Sequence, residues 1–223
     1  MNEIAVPAAD VVEGGAAPPF RPVLIVITDE NVAPGAALDA RLERVLAAAR
    51  PRTVLVQLRH LSLPVRVRLA IGARLRALCT RHEQWLSVND RADLAFAVRA
   101  DGVHLGERSV TPADARRLLP RAFVSHACHD LDALDAEGSH AAVLSPILAP
   151  RKGRAPLGVG GVRRARALLE ARRSTTLLYA LGGVDASSAA PCIEAGATGV
   201  AVIGAALDGR DPVPLLCALG IEK

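Results

Sequence analysis

From Val23 onward, short apolar runs of strand length alternate with helix-length segments, and the alternation repeats eight times. The runs are nearly continuous in Val, Ile, Leu and Ala, the pattern of strands buried on both faces. Strict strand–helix alternation implies a parallel sheet with right-handed crossovers, and eight such units close it into a barrel. The expected fold class is therefore α/β, a single (β/α)8 TIM barrel over residues 21–223. Residues 1–20 are rich in Ala, Gly and Pro and are expected to form a short flexible N-terminal extension. Strands are expected at Val23–Thr28, Thr53–Leu58, Trp85–Val88, Gly102–Leu105, Ala122–Ser125, Ala141–Leu144, Thr175–Ala180 and Gly199–Ile203. Thr111-Pro112 reads as an N-cap and first-turn proline, and Asp130–Glu137 is expected to be helical. There is no GxGxxG after the first strand, which argues against dinucleotide binding.

Composition narrows the function classes. Basic residues exceed acidic ones by four, but the arginines are scattered and aromatics are only 2%. Few rings are left to stack bases, so nucleic-acid binding is not expected. No apolar run reaches the roughly 18 residues of a membrane span. Cys79, Cys128, Cys192 and Cys217 form no CxxC pair, which argues against zinc and fits a reducing cytoplasm. Of the 27 basic residues only Lys152 and Lys223 are lysines, so an internal lysine stands out.

In a barrel of this kind, chemistry collects at the C-terminal ends of the strands. Strands seven and eight end in glycine: Leu181-Gly-Gly183 and Ile203-Gly204. In such barrels the loops there commonly bind phosphate, because glycine lets backbone N–H groups come close to an anion. After strand two come Gln57, Arg59 and His60, after strand three Asn89 and Asp90, and after strand four His104, Glu107 and Arg108. Strand five is followed by His126 and His129, strand six by Ser145, Arg151 and Lys152. This set holds cations for a phosphate or diphosphate, carboxylates for a divalent ion, and imidazoles able to exchange protons near neutral pH. Each has a plainer role open to it. Asn89-Asp90 could cap the next helix, His104 could be a satisfied core histidine, and Glu107-Arg108 reads as a solvated pair.

Taken in order, the segments Val56-Gln-Leu-Arg59, Val88-Asn-Asp-Arg-Ala-Asp-Leu-Ala95, Ala100-Asp-Gly-Val-His-Leu-Gly106, Ser145-Pro-Ile147, Pro156-Leu-Gly158, Leu181-Gly-Gly183 and Ala195-Gly-Ala-Thr-Gly-Val-Ala-Val202 resemble the thiamine-phosphate synthase and thiazole tautomerase (TenI) family. The resemblance implies a (β/α)8 barrel and a thiazole phosphate held at the glycine loops, here Gly182, Gly183, Ile203 and Gly204. Arg59, Asn89 and Lys152 would complete substrate binding. For a synthase it implies Mg2+ on a departing diphosphate, with Asp90 and Glu107 as the available carboxylates. For a tautomerase it implies no metal, with proton transfer by a histidine after strand five, matched by His129. His126 competes with His129 for that role, and His104 would orient the substrate.

Several positions depart from the synthase pattern. The lysine expected two residues after Arg59 is Leu61, and the second metal carboxylate is Ser109. Glu107 stands where a Gln is expected, Ala127 where a Ser is, and Ala149-Pro-Arg-Lys152 replaces a Thr-rich loop. Losing a cation and a carboxylate should weaken binding and departure of a diphosphate. The sequence therefore favours a tautomerase, with the synthase as the alternative and a non-catalytic thiazole- or thiamine-phosphate sensor as a third reading. The expected partners are small molecules, without nucleic acid or membrane, and a homo-oligomer is left open.

Overall fold

The computed structural model describes residues 18–223, so the extension expected over 1–20 lies almost wholly outside the described residues. Eight strands close a barrel in sequence order: β1 Leu24–Ile27, β2 Val54–Leu58, β3 Trp85–Asn89, β4 Gly102–Leu105, β5 Phe123–Cys128, β6 Ala141–Leu144, β7 Leu177–Leu181 and β8 Gly199–Val202. Every neighbouring pair is parallel, and β1 pairs with both β2 and β8. Outside lie α1 Ala36–Ala48, α2 Val65–Arg81, α3 Ala92–Ala97, α4 Pro112–Leu118, α5 Gly158–Ala171, α6 Ala186–Glu194, α7 Gly204–Leu207 and α8 Val213–Ala218. Thr111 caps α4 by accepting the Asp114 N–H, with Pro112 in the first turn as the sequence indicates. Among the described residues, no helix is long and apolar enough to cross a membrane.

Side chains alternate across each strand, so the barrel has two cores. Leu24, Val26, Val56, Leu86, Val88, Leu144 and Leu178 face outward against the helices. Ile25, Leu55, Phe123, Ala141, Leu177 and Tyr179 fill the lower interior. Phe20 closes the floor, stacked on Trp85 at 4.3 Å and on Phe123 at 4.9 Å between ring centroids. Trp85 and Phe123 open their strands, so this floor is at the N-terminal end of the barrel. Phe20, which the sequence places in the extension, thus belongs to the packed interior. Toward the other end the inward positions turn polar: Gln57, Ser87, Asn89, His104, Ser125 and Ser145, all buried.

One expected element is absent. Asp130–Glu137 contributes only a 3-10 turn, Leu131–Ala133, between β5 and β6. Side chains of β5 take two carbonyls a helix would use, and the Asp135 side chain is held from the segment before β7. His126 Nε2 lies 2.8 Å from the Ala133 carbonyl, and the Cys128 thiol donates to the Asp130 carbonyl. Ser174 and Thr176 hydroxyls both donate to Asp135 at 2.8 Å.

Candidate active site

A cavity of about 500 Å³ opens at the C-terminal ends of the strands. Its wall includes Gln57 and Arg59 from β2 and its loop, Asn89 and Asp90 from β3, His104 from β4, and His129 and Ser145 beyond β5 and β6. The polar residues form a connected chain rather than isolated groups. Gln57 donates its amide to Asn89 Oδ1 at 3.0 Å, and Asn89 donates to Asp90 Oδ2 at 2.6 Å. Asp90 Oδ1 accepts the Gly106 N–H at 2.9 Å and the Ser109 hydroxyl. The capping role open to Asn89-Asp90 is not taken: Arg91 is the N-cap residue of α3, and no side chain caps that end.

His104 accepts or donates at Nδ1 with Ser125 Oγ, 3.0 Å away. Burial pushes its pKa down to about 4, against a smaller upward pull from Asp90, so near neutral pH the ring is uncharged. His129 lines the cavity with its Nδ1 held by Ser145, 2.8 Å from the carbonyl and 3.0 Å from the hydroxyl. Its Nε2 stands 3.9 Å from Glu107.

His126 is not part of this site. β5 runs on to Cys128, three residues past its expected end, and the strand alternation then turns His126 outward while Ala127 and His129 face in. Its ring bonds Ser139 Oγ and the Ala133 carbonyl, each at 2.8 Å, and burial lowers its pKa. It secures the irregular β5–β6 connection. His60 is likewise buried and does not line the cavity.

The cations are Arg59, Arg108, Arg151, Lys152 and Arg154. Arg59 pairs with Asp29 at 3.1 Å. Burial works to raise the Asp29 pKa, but the Asn31 backbone N–H and Arg59 outweigh it and hold it low. Lys152 reaches the cavity at the tip of a two-residue hairpin: Arg151 and Arg154 exchange backbone hydrogen bonds, and Lys152 and Gly153 both have positive φ. Arg154, not singled out from the sequence, donates to Glu107 at 2.8 Å, so Glu107 is not the partner of Arg108 that it resembles in sequence. The signal available was Arg-Lys-Gly-Arg, where a turn brings the two outer arginines side by side.

Of the glycine-loop residues, only Ile203 itself lines the cavity. Gly182 and Gly183 follow the lining residue Leu181, and Gly204 follows Ile203 to open α7. The Gly183, Gly204 and Ala205 N–H groups have no acceptor among the described residues. The two loops differ in why they need glycine. Gly183 has φ +77°, and a Cβ there would lie 2.8 Å from Ala149. Gly204 is not left-handed, and a Cβ there would meet nothing within 4 Å. The fold demands glycine at 183 and leaves 204 free, so open space for a ligand is the reason left for Gly204.

The carboxylates do not fit the Mg2+ that the resemblance implies for a synthase. Asp90 accepts from three donors, and Glu107 is engaged by Arg154. Ser109 supplies a hydroxyl donor where a second carboxylate would be needed. Among the described residues, no three His, Cys, Asp or Glu side chains gather where they could hold a metal ion.

Comparison with known proteins places this geometry. The family model of thiamine monophosphate synthase (TMP-TENI) matches residues 24–206. A thiamine-phosphate synthase of Thermus thermophilus is 37% identical over 80% of this chain and 87% of its own length. One from Gloeobacter violaceus is 37% identical over 77% of this chain and 50% of its own. This chain thus spans about half the length of some curated relatives that it matches. The solved thiamine phosphate pyrophosphorylase of Pyrococcus furiosus superposes with a TM-score of 0.74 at 25% identity, covering 88% of this chain and 95% of that one. With the barrel, the cavity and the matched span in agreement, the chain belongs to the thiamine monophosphate synthase (TMP-TENI) family.

Proposed function

We propose that this barrel joins a pyrimidine diphosphate to a thiazole phosphate, forming thiamine phosphate and releasing diphosphate. The observation that carries the reading is the charge of the cavity wall. Five cations face two carboxylates, a balance of +3, and Arg108, Arg151 and Lys152 have no acidic partner among the described residues. That wall suits a ligand carrying more than one phosphate, and the synthase name of the relatives supports the same choice. It outweighs the tautomerase expected from the missing synthase residues, since Leu61 removes one cation while the hairpin brings Arg151 and Lys152, neither with an acidic partner among the described residues.

In the coupling a C–N bond forms as the C–O bond to diphosphate breaks, so negative charge grows on the departing oxygens. Side-chain cations already in place there stabilise that charge without reorganising. Arg59, Asn89 and the neutral His104 would orient the rings by hydrogen bonding. The free N–H groups at Gly183, Gly204 and Ala205 would take the thiazole monophosphate. The four unpaired cysteines suit a reducing, cytoplasmic setting for this activity.

The deciding assay supplies both substrates to the purified protein and follows thiamine phosphate and diphosphate. Formation of both supports the coupling, and their absence with tight binding of both ligands leaves a sensor. The tautomerase remains the second reading because His129 is held by Ser145 with its ring at the cavity. It requires solvent deuterium to enter the thiazole phosphate. His129→Asn should slow that exchange about 10²–10⁴-fold with little change in affinity. No exchange in the native protein removes the tautomerase.

A further inference from the structure

We propose that this site neutralises a diphosphate with its own side-chain cations and takes no divalent ion of its own. The inference rests on the diphosphate reading above, and three observations carry it. First, the carboxylate that would anchor a metal already accepts three of the roughly four hydrogen bonds its two oxygens can take. Asp90 Oδ1 accepts both the Gly106 N–H and the Ser109 hydroxyl, and Oδ2 accepts the Asn89 amide, which is itself fixed by Gln57. A metal would find a single open lone pair on Oδ2, and a bidentate hold would have to displace donors that belong to the barrel's own hydrogen-bond chain. Second, the other carboxylate in reach, Glu107, is spent on Arg154, which ties the hairpin to the β4 loop. Third, the wall already carries a net +3, so a second source of positive charge is both less needed and less welcome.

The arrangement exchanges one type of charge for another. Where a metal would sit on hard oxygen ligands, Ser109 presents a proton instead. The compensating charge comes from the hairpin, whose turn at Lys152-Gly153 sets Arg151, Lys152 and Arg154 along the same wall. Guanidinium groups suit the task because their paired N–H donors match phosphate oxygens.

The test is calorimetric titration of the full chain with inorganic diphosphate, once in buffer with a chelator and once with Mg2+. Binding in chelator is expected, with Kd at most a few-fold weaker than in Mg2+. Lys152→Gln and Arg151→Gln, both at exposed positions, should each weaken it about tenfold or more. In parallel, the electron paramagnetic resonance signal of aqueous Mn2+ should keep full intensity on adding the native protein and fall on adding Ser109→Asp. Diphosphate binding only with Mg2+, or Mn2+ immobilised by the native protein, overturns the inference and leaves the synthase reading standing. No diphosphate binding in either buffer, with thiazole phosphate still bound, overturns both.

Discussion

Gly204 offers a test in which stability and binding should move in opposite directions. It opens α7 with φ outside the left-handed region and with no atom within 4 Å of the place a Cβ would take. Replacing a glycine in such a conformation by alanine stabilises by about 0.4–1 kcal/mol, because the unfolded chain loses freedom while the folded chain loses nothing. A ligand phosphate must come within hydrogen-bond distance of the Gly204 and Ala205 N–H groups, through the space the methyl would fill. A hydrogen bond to a charged group contributes about 1.5–3 kcal/mol, so losing one or two weakens binding at least tenfold. Gly204→Ala should therefore melt at or slightly above the native temperature while calorimetry records at least a tenfold loss of affinity for thiazole phosphate. Gly183→Ala is the contrast: at φ +77° and 2.8 Å from Ala149 it should lower the melting temperature as well. Native affinity in Gly204→Ala refutes the phosphate assignment, because a folded, more rigid protein leaves no indirect explanation for unchanged binding.

His126→Ala should lower stability by about 1–3 kcal/mol in urea unfolding, since it leaves the buried end of β5 without the ring that holds the Ala133 carbonyl and Ser139, yet leave ligand affinity unchanged. Acidification should destabilise the fold well before the carboxylates titrate. His104 and His140 have folded pKa values pushed down to about 4 by burial, so the unfolded chain binds protons first. The stability they contribute is present at pH 7 and is lost as pH falls from about 6.5 to 4, at about 2–3 kcal/mol each, readable as a falling urea midpoint. A midpoint flat between pH 7 and 4.5 would contradict those buried neutral rings. Phe20→Ala should cost about 3 kcal/mol by opening the floor under Trp85 and Phe123, seen as a drop in melting temperature.

The barrel was legible because its strands are buried on both faces and therefore nearly all apolar. Gly102–Leu105 and Ala141–Leu144 coincide with the expected runs to the residue. Where strands end was harder to read, and that decides which side chains face the cavity. Once β5 is seen to reach Cys128, the two-residue period separates His129 from His126; an end at Ser125 leaves the choice open. The missing helix after β5 has the same kind of cause. Asp130-Leu-Asp-Ala-Leu-Asp-Ala-Glu137 contains good helix formers, but the His126 ring takes the Ala133 carbonyl, and Ser174 and Thr176, about 40 positions on, hold the Asp135 side chain in place. No local pattern carries that information. The Glu107–Arg154 pair spans 47 positions and was hidden for the same reason.

The mouth of the barrel divides into two halves with different means of holding a ligand. From β2 to β4 the inward residues are Gln57, Asn89 and His104, joined to Asp90 and Ser125 by side-chain hydrogen bonds. Such a network is fixed before a ligand arrives and is suited to the edges of a heteroaromatic ring, where position matters more than charge. From β6 to β8 the inward residues are Val143, Leu181 and Ile203, and the polar side chain there, Ser145, is engaged with His129. There the glycine loops supply the polar groups from the backbone itself, as N–H donors unpaired among the described residues. Between the halves stands the hairpin with Arg151, Lys152 and Arg154, anchored through Glu107 to the β4 loop. A ligand with a ring at one end and a monophosphate at the other fits the first two features alone. Arg151 and Lys152 of the hairpin are then left over, and a second, more highly charged ligand would give them a role. That surplus weighs for coupling two substrates over rearranging one.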